Sequence, residues 1–178
     1  SDRPGPGVLS SGERALHLHG GYTYRTLSCG DIVQLETTPH VRHYHARFMR
    51  PIKVNEATDD DFQTVQTMIE IQDAALAEVR PGVAATVPDG VYRQRVLEAG
   101  LKREYTNKTF YSVGLLIEPS GGEILEAHPE ADWTFQPGMT FHTYLLARGL
   151  GMSETILVTD DGYERLTRYP RSLLVSGQ

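Results

Sequence analysis

The stretch TDDDFQTVQTMIEIQDAALAEVRPG, Thr58 to Gly82, constrains the fold more than any other part of the sequence. Thr58 stands where an N-cap hydroxyl is wanted, and the aspartates after it suit the positive end of a helix dipole. Phe62, Val65, Met68, Ile69, Ala75, Leu76 and Val79 then recur at helical spacing, and Pro81-Gly82 stops the run. VYRQRVLEAGL predicts a second helix ending near Gly100. On either side of this helical pair the apolar period changes to two. DIVQLET (Asp31 to Thr37) and RHYHARFMRPIKV read as two strands, antiparallel across a turn at Thr38-Pro39-His40. TFYSVGLLIEP, GMTFHTYLLA and SETILVTDDGYERLT supply the rest, with SGGE as a loop and Asp161-Gly162 as a hairpin turn. The order β-β-α-α-β-β-β-β predicts an α+β domain, an antiparallel sheet covered by helices on one face.

A chain of 178 residues with 39% apolar and 22% charged residues can bury one sizeable core. Its net charge of −6 argues against nucleic-acid and anionic-membrane partners, which need a basic surface. The single cysteine, Cys29, cannot form an intramolecular disulfide and fits a reducing compartment. No apolar run is long enough to span a bilayer as a helix, so a cytoplasmic location is expected. SDRPGPGVLSSGERALH is rich in Pro, Gly and Ser, and residues 1–14 are expected to be an exposed loop or a cut N-terminus.

GDIVQLETTPHVRHYHARFMRP, Gly30 to Pro51, concentrates the polar chemistry. It suits a metal, an acidic ligand, or a plain polar sheet face. On the first strand Ile32, Gln34 and Glu36 share one face, so Glu36 lines either a cleft or solvent. On an extended strand His43 and His45 share a face and His40 takes the other. Two histidines at that spacing can chelate zinc, but Arg42, Arg47 and Arg50 among them oppose a cation. Arginines beside histidines suit a carboxylate-bearing ligand better, through paired hydrogen bonds. Glu154 opens an apolar strand and is a site candidate or an edge charge. His17 and His19 precede a Gly-Gly turn. His142 alternates with Phe141 and is expected to point out of the core. Cys29 has no activating base nearby and reads as inert. GGE at Gly121 is too weak a signal for a phosphate loop.

Taken in order, Gly30-Asp31, Arg80-Pro81-Gly82, NKTFYSVG, Pro137 to Phe141 and SETILVTDDG resemble the creatinase/aminopeptidase P family, whose fold is called pita-bread. The resemblance runs from about Ser11 to the C-terminus. Glu36, Arg42, Tyr44, His45, Arg50 and the closing YPRSLLV are similar to the metal-independent, ectoine-hydrolase-like branch. The resemblance implies a pita-bread domain, with residues 1–178 as its C-terminal portion and an N-terminal part missing.

Metallopeptidases of that family hold two metal ions with five side chains. Aligned on the motifs, those positions are Glu36, Arg47, Tyr111, Tyr144 and Glu154, which implies no metal and no cofactor. The implied activity is metal-independent hydrolysis of a C–N bond in a small carboxylate-bearing substrate: a cyclic amidine, lactam or amide. Glu36 is then the nucleophile or base, His19 the proton relay, Glu154 the holder of a cationic amidinium, and Tyr111 a hydrogen-bond donor. Arg47 clamps the substrate carboxylate, with His45, His142 and Tyr144 as further substrate contacts. The alternative is a catalytically inactive binding or scaffold module. Asn107, where the family has histidine, and Phe110, where the branch has glycine, depart from the pattern. A second chain or fragment supplying the N-terminal half, and a homodimer, are the expected partners.

Overall fold

The computed structural model describes residues 7–17, 19–115, 117 and 124–177. The expected SGGE loop, with Gly121, and the first residues of the N-terminal stretch lie outside the described residues.

Two helices cover one face of a five-stranded antiparallel sheet. Helix α1 (Asp59–Leu76) starts as predicted. The Thr58 hydroxyl accepts from the Asp61 amide, and the Asp61 carboxylate accepts in turn from the Thr58 amide. Helix α2 (Thr86–Glu98) begins five residues earlier than its apolar pattern suggests, because Pro88 and Gly90 sit inside its opening turns. A proline is tolerated in the first turn, where its missing N–H has no intrahelical partner to lose. The sheet runs β10-β9-β8-β6-β7, made of β6 (Phe110–Ser112), β7 (Glu126–Ala127), β8 (Thr140–Ala147), β9 (Leu150–Val158) and β10 (Tyr163–Arg165). Arg148 and Gly149, both left-handed at φ 53° and 82°, make the two-residue turn between β8 and β9. Val65, Met68, Ile71 and Leu76 of α1 join Phe141, Leu145, Met152 and Ile156 of the sheet in the main core.

A second sheet, ordered β1-β2-β5-β11, comprises β1 (Val8–Ser11), β2 (Ile32–Thr37), β5 (Phe48–Lys53) and β11 (Leu174–Val175). Its β5–β11 pair is parallel, and the strands divide between separate sheets instead of forming one wholly antiparallel sheet. Residues 8–11, expected to be loop, form strand β1 against β2, and Gly12–Leu16 forms a 3-10 helix. The backbone hydrogen bonds of a sheet edge outweigh the Ser/Gly composition there.

Strands β2 and β5 pair antiparallel as predicted, but not through a turn at residues 38–40. A small hairpin of β3 (His40–Val41) and β4 (Tyr44–His45) intervenes, with Arg42 and His43 left-handed at φ 49° and 69°. His40 therefore pairs across to His45 and stacks near His43, instead of facing away from both.

Strand β5 is fastened to β9 by side chains. The Ser153 hydroxyl accepts from the Met49 amide at 2.6 Å, and the Thr155 hydroxyl accepts from the Arg47 amide at 2.9 Å. This junction brings the polar face of the first sheet against the face of the second that is turned away from the helices.

Candidate active site

Strand register decides which side chains meet at that junction. Residues opposed across an antiparallel pair point to the same side. Tyr111, His142 and Thr155 therefore form one row across β6, β8 and β9, with Tyr144 and Ser153 beside them on the same side. On β2, Glu36 opposes Met49 of β5, and Arg47 lies two residues before Met49. Glu36, Arg47, Met49, Tyr111, His142 and Tyr144 wall a cavity of about 500 Å³. His19, Thr106, Asn107, Lys108, Glu126 and His128 complete its lining.

Glu36 is 3% exposed. The polar face of β2 is thus the inward one, facing the cleft rather than solvent. Arg47 Nε stands 2.5 Å from Glu36 Oε1. The guanidinium of Arg47 and the ammonium of Lys108 lie 5.7 and 5.5 Å from the Tyr111 ring centre, within cation–π reach. Lys108 also pairs with Glu126. His142 stacks on Tyr144 at 5.3 Å and meets the edge of Tyr111 at 4.9 Å.

His142 is buried rather than turned outward, and among the described residues neither of its ring nitrogens has a hydrogen-bond partner. Burial first, and the nearby charge of Arg47 second, hold its pKa well below the ordinary imidazole value. The folded protein therefore keeps His142 neutral where the unfolded chain takes up a proton. Its contribution to stability is present above the unfolded value of about 6.5 and is lost as pH falls below it, by about 1.4 kcal/mol per pH unit. H142F should flatten the acid limb of a stability–pH curve between about pH 6.5 and 5 by one proton. Urea melts of both proteins across that range measure the difference, and parallel curves would contradict the neutral imidazole.

Glu154 is not in the cavity. It opposes Thr143 on the helix side of the sheet, one residue out of phase with Ser153, which shares the side of Tyr144. Its carboxylate instead meets Arg50 at 3.0 Å and Arg171 at 3.4 Å. It is fully buried, and burial outweighs the arginines and raises its pKa. The role of substrate holder therefore fails for Glu154. His45 also lies outside the cavity lining, with its Nδ1 2.9 Å from the Gly114 carbonyl oxygen. Of the expected site residues, Glu36, His19, Tyr111, Arg47, His142 and Tyr144 do converge.

The loop carrying Asn107 and Lys108 is held from α2. Arg93 donates to the carbonyls of Tyr105 and Asn107 at 2.7 and 2.6 Å, while Asp89 accepts from Arg93 and from the Thr109 hydroxyl. Asp89 is 1% exposed, so the network is shielded from water. R93A should speed amide exchange across residues 105–109 by about tenfold or more, as two charge-assisted bonds are lost. Exchange in α1 should hold. Equal acceleration of both segments would show general loosening instead.

The model of metallopeptidase family M24 matches residues 1–160. The chain belongs to this family. Among similar M24 relatives, the probable dipeptidase PepE of Mycobacterium tuberculosis is 30% identical over 173 residues, 94% of this chain and 45% of that protein. The Xaa-Pro dipeptidase of Pyrococcus furiosus is 25% identical over 171 residues, 94% of this chain and 48% of that one. The chain thus spans about half the length of the curated relatives it matches. The crystal structure of dipeptidase PepE from Mycobacterium ulcerans superposes with a TM-score of 0.85 at 24% identity, over 98% of this chain and 47% of that one. The structure confirms the pita-bread fold of M24 proteins for this chain. No helix among the described residues is long and apolar enough to cross a membrane.

These findings correct the expected function. The relatives are named as dipeptidases and Xaa-Pro dipeptidases. That contradicts both a metal-independent hydrolase of cyclic amidines or lactams and an inactive scaffold. The family's description as metallopeptidases implies metal ions. The cavity lining offers Glu36, already held by Arg47, Glu126, already held by Lys108, and the imidazoles of His19, His128 and His142. Among the described residues no cluster of three or more His, Cys, Asp or Glu is placed to hold a metal. Two carboxylates each held by a cation, with no third ligand gathered beside them among the described residues, do not fit a pair of divalent cations, which need several carboxylates and imidazoles around one centre.

Proposed function

We propose that this chain forms the substrate pocket of a hydrolase that cleaves short peptides. The observation that supports the reading best is the cavity of about 500 Å³ between strands β2 and β5 and strands β6 and β8, with the buried Glu36–Arg47 pair in its wall. That volume suits a ligand of a few residues. M24 relatives named as dipeptidases support the same substrate class.

In this reading Glu36 is the base that takes the proton of an attacking water, and Arg47 fixes its carboxylate. Tyr111 and Tyr144 line the same cavity, and in this reading their hydroxyls donate to the carbonyl oxygen as it gains charge. His19, at the exposed rim, passes a proton to the leaving amine. Arg47 is a partner of Glu36 rather than a dedicated carboxylate clamp.

Whole protein incubated with a panel of di- and tripeptides should release free amino acids, read by chromatography. A panel left intact, with the protein fully folded by its melt, would overturn the proposal.

A further inference from the structure

The charged groups of the cavity come already matched: Arg47 with Glu36, and Lys108 with Glu126. A ligand carboxylate entering there must compete with a protein carboxylate for either cation. The imidazole of His142 is different. It is 1% exposed and lines the cavity, and neither nitrogen has a partner among the described residues. A buried polar group without a partner is costly, and a ligand that supplies one recovers that cost. Its wall is fixed by stacking on Tyr144 and by the edge contact with Tyr111, so the ring is preorganised.

We propose that His142 is the specificity-determining residue of the pocket. It hydrogen-bonds an uncharged amide of the substrate, so that peptides presenting an amide there are preferred to those presenting a free carboxylate. The inference rests on the peptide-hydrolase reading and narrows its substrate class to peptides extended by one more residue, or amidated, at that point. A neutral imidazole carries one N–H and one lone pair, and either ring nitrogen finds its complement in an amide. A carboxylate offers acceptors only and brings a charge that must be desolvated beside Glu36.

Alanyl-alanine and alanyl-alaninamide separate the two cases, since they differ only in the terminal group. Apparent affinity is read by titration calorimetry, or as KM where the peptide is turned over, on whole protein. Wild type should bind the amide about tenfold tighter than the acid. H142F keeps the ring but removes both nitrogens, and should bring the two affinities within about threefold. H142Q restores a donor and an acceptor, and should recover part of the preference. A thermal melt of each variant confirms the fold. Equal or tighter binding of the acid by wild type would overturn the inference, as would an amide preference that survives in H142F. Cleavage of both peptides without an amide preference would sink the inference and leave the hydrolase reading intact. A preference lost in H142F, with neither peptide cleaved, would do the reverse.

Discussion

E154A should lose about 3–5 kcal/mol of folding stability, the usual cost of breaking a buried ion pair from one side. Among the described residues the carboxylate is the one acid that meets Arg50, whose other bonds go to the carbonyls of Met49, Ser153, Tyr169 and Pro170. Arg171 joins the same carboxylate to Asp73 and Gln72 on α1. Removing it leaves Arg50, 2% exposed, without its counter-charge. E154Q should cost less, because the carboxamide oxygen still accepts from the guanidinium. The raised pKa of Glu154 fixes the sign with pH. The folded state holds its proton more tightly than the unfolded chain, so this group's contribution falls as pH rises from the ordinary carboxyl value toward the folded one. Denaturant melts near neutral pH settle the matter. A cost below about 1 kcal/mol for E154A would show that the carboxylate contributes no more than a surface pair.

E36Q should lower kcat for peptide cleavage by about 10²–10⁴-fold, the usual contribution of a positioned base. The carboxamide keeps the shape of the side chain and one acceptor for Arg47, so KM should change far less than kcat. Arg47 loses its counter-charge, so the melt of E36Q must be recorded beside its kinetics. Unchanged kcat in a folded variant would remove Glu36 from the chemistry.

The sequence carried the local signals faithfully and the facing of strands only in part. The Thr58 cap and the aspartates behind it are a local device, so α1 was legible from its first residue. The start of α2 was hidden by Pro88 and Gly90, which read as breakers although the first turns tolerate them. The β3–β4 hairpin depends on two non-glycine residues, Arg42 and His43, in left-handed conformations that composition does not announce.

At the site, alternation grouped Gln34 with Glu36 correctly but could not say that this polar face is the buried one. That depends on which sheet packs against it. Glu154 shows the sharpest limit. A motif places a carboxylate within a strand, and a shift of one residue sends it through the sheet. Register puts Ser153 on the pocket side and Glu154 among the arginines. Lys108, Glu126 and His128 went unnoticed because they adjoin short strands, Phe110–Ser112 and Glu126–Ala127, with too few residues for a period. The nearest signal was their adjacency to the NKTFYSVG motif and to one another in EAH.

In the proposed reading the cavity between strands β2 and β5 and strands β6 and β8 receives a short peptide. A crystal structure of the whole protein with a non-cleavable peptide analogue tests this most directly. The analogue should lie between the Glu36–Arg47 pair and the Lys108–Glu126 pair, with its backbone against Tyr111, His142 and Tyr144. A peptide bound elsewhere on the molecule, with this cavity holding only water, would contradict it.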